Sequence, residues 1–179
     1  MKIVLIIISV IAGILLILYA TVKTKSTSLN KYAPYKELIG KTLTLNEATY
    51  LFKDEASQIQ DASYRYTLVD SLHPRWSYYQ EAKEISEVNV EEILRFPAGV
   101  QFQVKKAVQF TGGVSGTSQP VIFGTIQYQG KEYKVHYYWG VRDIDKAFRN
   151  IDQCWQFHKA PWQEKQDTAF YALPTATIW

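Results

Sequence analysis

A cysteine and a histidine near the end of the chain are the first residues whose types and spacing could do chemistry. Cys154 and His158 stand four positions apart in "CWQFH" and would share one face if a helix continued through them. A cysteine nucleophile needs a stabilised thiolate and a histidine in contact with it. No third residue that would orient the histidine is evident. We therefore expect a buried Cys154 on the inner face of the last helix, with an envelope hydrolase using Cys154 as an alternative.

The remaining polar residues exclude several other functions. His73, His136 and His158 show neither metal-ligand spacing nor a carboxylate pair nearby, and "TGGVSGTS" lacks the lysine of a phosphate-binding loop. Residues 1–29 hold three lysines and no acids, which leaves 17 basic and 17 acidic residues in the rest. A nucleic-acid binder needs a basic face. The sequence predicts no metal, no cofactor and no nucleic acid.

Aromatic rings in the stretch "HPRWSYYQ" are the strongest candidates for binding. Tyrosine and tryptophan give large contact areas at low entropic cost and are enriched at protein–protein contacts. We predict that Trp76, Tyr78 and Tyr79 contact a partner protein. The alternative is that long loops fold over the domain and bury these rings.

An acidic run follows these rings, with Lys83 as its only basic residue. It is either a solvated surface or a docking face for a basic partner, and we predict that Glu84 and Glu87 aid encounter. The run consists of Glu81, Glu84, Glu87, Glu91 and Glu92.

An apolar run from Ile3 to Ala20 opens the chain, with no charge between Lys2 and Lys23. At about 1.5 Å per residue it can just cross a hydrocarbon core of roughly 30 Å. A cleavable signal peptide is the alternative, but the bulky Leu18 makes a poor cleavage site. The run predicts an uncleaved transmembrane anchor.

The domain after this anchor is predicted to lie outside the cytoplasm. Lysines flank the apolar run on both sides, so the positive-inside rule does not decide the orientation. A long domain after one N-terminal apolar segment usually translocates. We expect an anchor at 1–22 in the inner membrane, a linker at 23–33 and a periplasmic domain at 34–179.

Strands must position most of the candidate residues. Val100, Phe102 and Val104 alternate with polar residues after the turn "FPAG", and "KTLTL", "ATYLFKD" and "SYRYTLVD" are further predicted strands. Short helices are expected at "PYKELIG", at "NVEEIL" from its capping-box spacing, and at about 143–152. The stretch "DSLHPRWSYYQEAKEISE" is expected to be irregular. These elements predict a mainly β domain with short helices.

The stretch "VIFGTIQYQGKEYKVHYYWG" predicts a hairpin in one of two registers. A two-residue turn at Gln129–Gly130 places Ile126 opposite Tyr133, whereas a bulge at Gly130 shifts the pairing by one residue. Both registers place one set of side chains on the same face of the second strand, and we assign that face to the core. The set is Tyr133, Val135, Tyr137 and Trp139.

The strand launched from "FPAG", with "GKTLTL" and "ATYLF" before it and a hairpin after it, resembles bacterial SH3-like domains. The resemblance covers about residues 40–140 and implies a small, partly open barrel. The usual ligand-binding motifs of that family are not recognisable here, so no ligand follows from the resemblance.

Three functions are compatible with these features. The first is a non-enzymatic, membrane-tethered binding protein, for example an immunity protein that blocks a toxin acting in the periplasm, which it resembles in layout. The second is a cell-wall (peptidoglycan) binder of the SH3-like kind, with Trp76, Tyr78 or Trp162 stacked on sugar rings. The third is the hydrolase using Cys154.

Overall fold

The computed structural model describes residues 11–13, 19, 22–54, 59, 61–85 and 88–174. Strands dominate these residues and the helices are short, which confirms a mainly β domain. Most of the predicted anchor at 3–20 and Glu87 of the predicted site lie outside them. Within the described ranges, no helix combines the length and the apolar character needed to cross a membrane.

The strands are β1 (Lys25–Ser28), β2 (Thr42–Thr44), β3 (Thr49–Asp54), β4 (Tyr66–Asp70), β5 (Val90–Phe96), β6 (Gln101–Thr111), β7 (Ser118–Tyr128), β8 (Lys131–Tyr138), β9 (Val141–Arg142), β10 (Gln153–Gln156) and β11 (Tyr171–Ala172). The helical elements of the described domain are a 3-10 turn (Tyr35–Glu37), α1 (Trp76–Ala82) and α2 (Ile144–Phe148), and the described residues 11–13, 19 and 22 are helical as well.

One eight-stranded sheet organises the domain. Its order is β1-β6-β7-β8-β4-β3-β5, with β2 also paired to β6, and all pairs are antiparallel except β4 with β8. Among the described strands β5 pairs with β3 alone, so the sheet does not close into a barrel. A smaller sheet, β11-β10-β9, carries the C-terminal part of the described chain.

The β7–β8 hairpin takes the first of the two predicted registers. Ile126 lies opposite Tyr133, and the turn residues Gln129 and Gly130 have φ of 50° and 77°. Positive φ at both turn positions matches the right-handed twist of the flanking strands. This turn fixes which residue of β7 lies opposite each ring of β8.

The core assignment on β6 and β8 is confirmed. Val104, Val135 and Tyr137 are fully buried and Tyr133 nearly so. Gln101, Gln103 and Lys134 are exposed, as the alternation predicts. His136 and Tyr138, on the opposite face of β8, are buried as well, because that face carries a second apolar cluster with Phe123 of β7 and Tyr64.

Two predictions about local structure between residues 71 and 96 are wrong. The stretch "NVEEIL" is not a helix: Asn89 has a φ of 50°, and β5 pairs with β3 instead. Cross-strand pairing overrides the capping-box signal. The stretch expected to be irregular contains α1, which begins two residues after Pro74. Proline is tolerated at the start of a helix, so it marks a beginning here rather than a break.

The last predicted helix is shorter than expected. The Asp143 side chain accepts a hydrogen bond from the backbone N–H of Lys146 at 2.9 Å and caps α2. Beyond Phe148 the helix stops, and Asn150 takes a φ of 56°. Cys154 is buried as expected, but on strand β10 rather than on a helix.

Candidate partner-binding surface

Helix α1 is fixed to the domain by one apolar side. Tyr79 is fully buried, and its ring stacks on Phe52 with the centroids 4.9 Å apart. Ala82 lies in the same cluster, together with Val69 of β4. Burial raises the pKa of the Tyr79 phenol, so the ring stays neutral. Tyr79 is therefore part of the core and cannot contact a partner as predicted.

Trp76 lies at the edge of the same cluster and is half-buried. Its ring centroid is 4.8 Å from that of Tyr50, and Arg95 lies over the Tyr50 ring at 5.3 Å. Part of the indole ring is therefore buried against the domain, and part remains exposed at the surface. Partner contact by Trp76 stays a prediction.

Tyr78 is the ring of α1 that faces solvent. It is 44% exposed although its neighbour Tyr79 is fully buried, and the two rings meet edge to face at 5.1 Å. Partial burial raises the pKa of Tyr78 above its ordinary value. A tyrosine ring with an exposed face can contact another molecule through its apolar ring and its hydroxyl.

Two exposed acidic side chains follow this ring in the sequence. Glu81 and Glu84 are both exposed. Lys83 instead points toward β5, where its ammonium donates to Glu92 at 2.8 Å. We name Trp76, Tyr78, Glu81 and Glu84 the α1 surface.

Helical spacing is the signal that separates these rings. Trp76, Tyr79 and Ala82 are three residues apart, which places them on one side of a helix and turns Tyr78 outward. The prediction of an irregular stretch rests on Pro74 and overlooks this spacing.

A second set of polar residues is buried where β4 and β8 meet. His73 accepts a hydrogen bond at Nδ1 from the backbone N–H of Arg75 at 3.0 Å. Its Nε2 therefore carries the proton and donates to the Tyr138 carbonyl at 2.9 Å. Burial lowers the pKa of His73 to about 4, so the ring is neutral at pH 7.

His136 is held neutral in the opposite tautomer. Its Nδ1–H donates to the Tyr64 carbonyl at 2.9 Å, so its Nε2 accepts from the Thr67 hydroxyl at 2.8 Å. Burial lowers the pKa of His136 to about 4. The two bonds tie β8 to β4 and to the segment before it.

A third group of hydrogen bonds, after those of His73 and His136, joins Tyr137, Asp70 and His158. The Tyr137 hydroxyl donates to the Asp70 carboxylate at 2.8 Å, which leaves its oxygen to accept from His158 Nε2–H at 3.1 Å. Burial raises the pKa of Asp70 and lowers that of His158 to about 3. Each group has a structural partner, and the arrangement holds the sheet together.

The Cys154–His158 pair is not brought together as a helix would have done. Cys154 lines a cavity of about 280 Å³ beside Trp155 and Asp152, a cavity whose described lining contains no histidine. His158 lines a different cavity of about 260 Å³ with His73 and Arg75. The geometry gives the thiol no imidazole partner.

Trp155 and Trp162 both pack against the core, although Trp162 is only half-buried. Trp155 is buried, and the Trp162 ring lies among aromatic neighbours at centroid distances of 5.0–5.8 Å. Those neighbours are Phe102, Tyr137 and Trp139. In the part of the chain that the structure describes, no group of three or more histidine, cysteine or carboxylate side chains could hold a metal ion.

Comparison with known protein families, with curated protein sequences and with solved structures finds no match to this chain.

Proposed function

We propose that this chain is a non-enzymatic binding protein of the bacterial envelope, tethered in the inner membrane by residues 3–20. The domain lies in the periplasm, and the α1 surface contacts a partner protein. The observation that carries this proposal is the contrast between two adjacent rings. Tyr79 fixes the helix in the core, and Tyr78 beside it is 44% exposed. Binding residues held on a rigid element lose little entropy when they meet a partner.

The charge of the α1 surface favours a basic partner. Glu81 and Glu84 are exposed and follow Tyr78 within six residues, and opposite charges steer association. An immunity protein that blocks a toxin acting in the periplasm has this layout: an apolar anchor, one small domain and a surface for a single protein. We propose this role as the concrete version of the binding function.

The SH3-like resemblance is retained as a proposal about fold. It is supported by the strand β6, which follows a turn at Gly99 with a φ of 92°, and by the tight β7–β8 hairpin. Stacking on cell-wall sugars has less support at Trp162, because that ring is half-buried among other aromatic side chains.

Affinity capture from envelope extracts tests the binding function. The tagged full-length chain is compared with Tyr78→Ala and with the matched control Gln103→Ala, an exposed residue on β6. We expect one protein to be recovered with the wild type and the control, and to be depleted with Tyr78→Ala. Loss of a hot-spot ring weakens binding by about 2 kcal/mol, or roughly 30-fold. Equal recovery with all three chains would refute a role for α1.

A fusion of alkaline phosphatase after residue 179 tests the topology separately. The enzyme is active only outside the cytoplasm, so we expect activity and an N-terminus that retains Lys2. An inactive fusion, with the domain protected from protease in spheroplasts, would contradict a periplasmic domain.

A further inference from the structure

Exposed apolar side chains gather at one end of the domain. Val114, Ile144 and Phe148 are 81%, 57% and 82% exposed, and Val141 and Ile151 are 55% and 39% exposed. Isolated exposed apolar residues are normal, but a group at one end of a domain marks an interaction site. We propose that this end rests on the lipid bilayer.

The sheet places this end beside the start of the domain. Lys25, the first residue of β1, pairs with Thr111, and Thr111 pairs with Ser118 across the β6–β7 hairpin. Thr24 lines a small cavity together with Gly112 and Thr117. Val114 is at the tip of this hairpin, so it lies next to the point where the chain enters the domain.

The segment that carries Ile144 and Phe148 adjoins the same hairpin. Ser118 and Arg142 both line each of two cavities, of about 280 and 260 Å³. Ile151 lines the first cavity, and Ile144 lines the second. The hairpin tip, β9 and α2 therefore form one continuous end, which we call the anchor-proximal end.

Only a short stretch of chain separates the predicted apolar run from β1, because residues 25–28 of the predicted linker belong to the sheet. The apolar run of the predicted anchor ends at Ala20 and β1 begins at Lys25, which allows at most about 18 Å even if fully extended. A folded domain of 100 residues has a radius of gyration of about 13 Å, so it does not fit into this gap. The gap between the membrane and the anchor-proximal end is therefore too narrow for a folded partner, and we infer that this end faces the lipid surface directly.

The charge of the anchor-proximal end suits anionic lipid headgroups. The segments 22–25, 73–75, 112–120 and 139–152 carry six basic and three acidic side chains. Among them Lys23, Arg142 and Arg149 are exposed, and no described carboxylate forms an ion pair with them. Apolar residues flanked by basic ones are the pattern of surfaces that lie in the membrane interface.

The inference rests on the proposed tether, and the experiment separates the two. The full-length chain is reconstituted into vesicles of phosphatidylcholine with phosphatidylglycerol, and a bimane dye is attached at Phe148→Cys or at Val114→Cys. The native Cys154 is only 5% exposed and should react little with the dye. Labelling of the native chain measures this small background reaction. The control is Lys131→Cys just beyond the far end of β7, a strand of 11 residues that spans about 33 Å.

We expect dye at positions 148 and 114 to shift its emission to the blue and to be quenched by nitroxide-labelled lipid. Dye at position 131 should be quenched by a water-soluble nitroxide instead. If the chain floats with the vesicles but all three dyes respond to the aqueous quencher, the end is free for a protein and the inference is overturned. A chain that does not float with the vesicles would refute the tether itself and the inference with it.

Discussion

At the scale of single residues, the three histidines act as neutral hydrogen-bonding groups. Each imidazole has one nitrogen that must donate and, in His73 and His136, one that must accept. Protonation removes the acceptor, and burial opposes the added charge. The histidines therefore act as hydrogen-bonding groups that connect neighbouring strands. Histidine as a residue type would also be compatible with metal binding or catalysis.

The stability of the domain should fall as the pH drops from about 6.5 to about 4. The folded-state pKa of His73 and of His136 is lowered to about 4, so the unfolded chain binds more protons in this range. Each ring contributes up to roughly 3 kcal/mol above pH 6.5, and this contribution is lost on acidification. Asp70 acts in the opposite sense, because its pKa is raised. Urea unfolding between pH 7.5 and 4.5 measures the net change in stability from the histidines and Asp70. An unchanged unfolding midpoint would contradict the predicted loss of stability.

Tyr78 and Tyr79 should respond oppositely to truncation. Tyr79→Ala removes a fully buried ring from the cluster around Phe52 and should lower the free energy of unfolding by about 3–5 kcal/mol. Tyr78→Ala should change it by less than about 1 kcal/mol, because the ring is partly exposed. Chemical denaturation of both variants measures the difference. Similar losses in both would mean that Tyr78 belongs to the core.

Cys154→Ser should leave partner binding intact. The thiol is buried and free, so the new hydroxyl costs about 1–3 kcal/mol of stability if it finds no hydrogen-bond partner. Capture of the partner by the folded variant measures function. Loss of capture in a variant that still folds would contradict this expectation and would make Cys154 part of the binding function.

At the scale of elements, β7 is fitted closely against β6. A Cβ at Gly124 would come within 2.3 Å of the Gln103 carbonyl oxygen and 2.4 Å of the Phe102 ring. A glycine in a strand marks such a close approach of backbones.

Gly124→Ala should therefore destabilise the domain by about 2 kcal/mol or more, since backbone must move to admit the methyl group. Gln127→Ala, an exposed position on the same strand, serves as the control and should change stability little. Thermal unfolding of both variants gives the comparison. A Gly124→Ala domain as stable as the control would show that the two strands lie further apart.

The elements that can be predicted from sequence are those whose signals are local. The β7–β8 hairpin follows from its alternation and from Gln129–Gly130, and β6 follows from Val100, Phe102 and Val104. Strand β5 escapes prediction because its first residues mimic a helix start, and only pairing with β3 decides the matter. Helix α1 escapes prediction because a proline two residues before it suggests a break.

At the scale of the whole molecule, the parallel pairing of β4 with β8 is the feature that no local sequence pattern predicts. It pairs Tyr66 with Val135 and Thr67 with His136, residues nearly 70 positions apart. Only two parallel pairs form there, and the side chains of residues 136, 137 and 73 add the further bonds. The sequence shows aromatic and histidine residues in these strands but not which of them will meet. The same kind of long-range packing decides that Tyr79 is buried against Phe52 while Tyr78 is not.

The central claim is that this domain binds a partner protein through α1, and photocrosslinking in living cells tests it most directly. A photoreactive phenylalanine analogue replaces Tyr78 in the full-length chain, and matched chains carry it at the exposed positions 103 and 134. We predict one discrete crosslinked protein from position 78 and none from the two controls. Absence of a product at position 78, or the same products from all three positions, would contradict the claim.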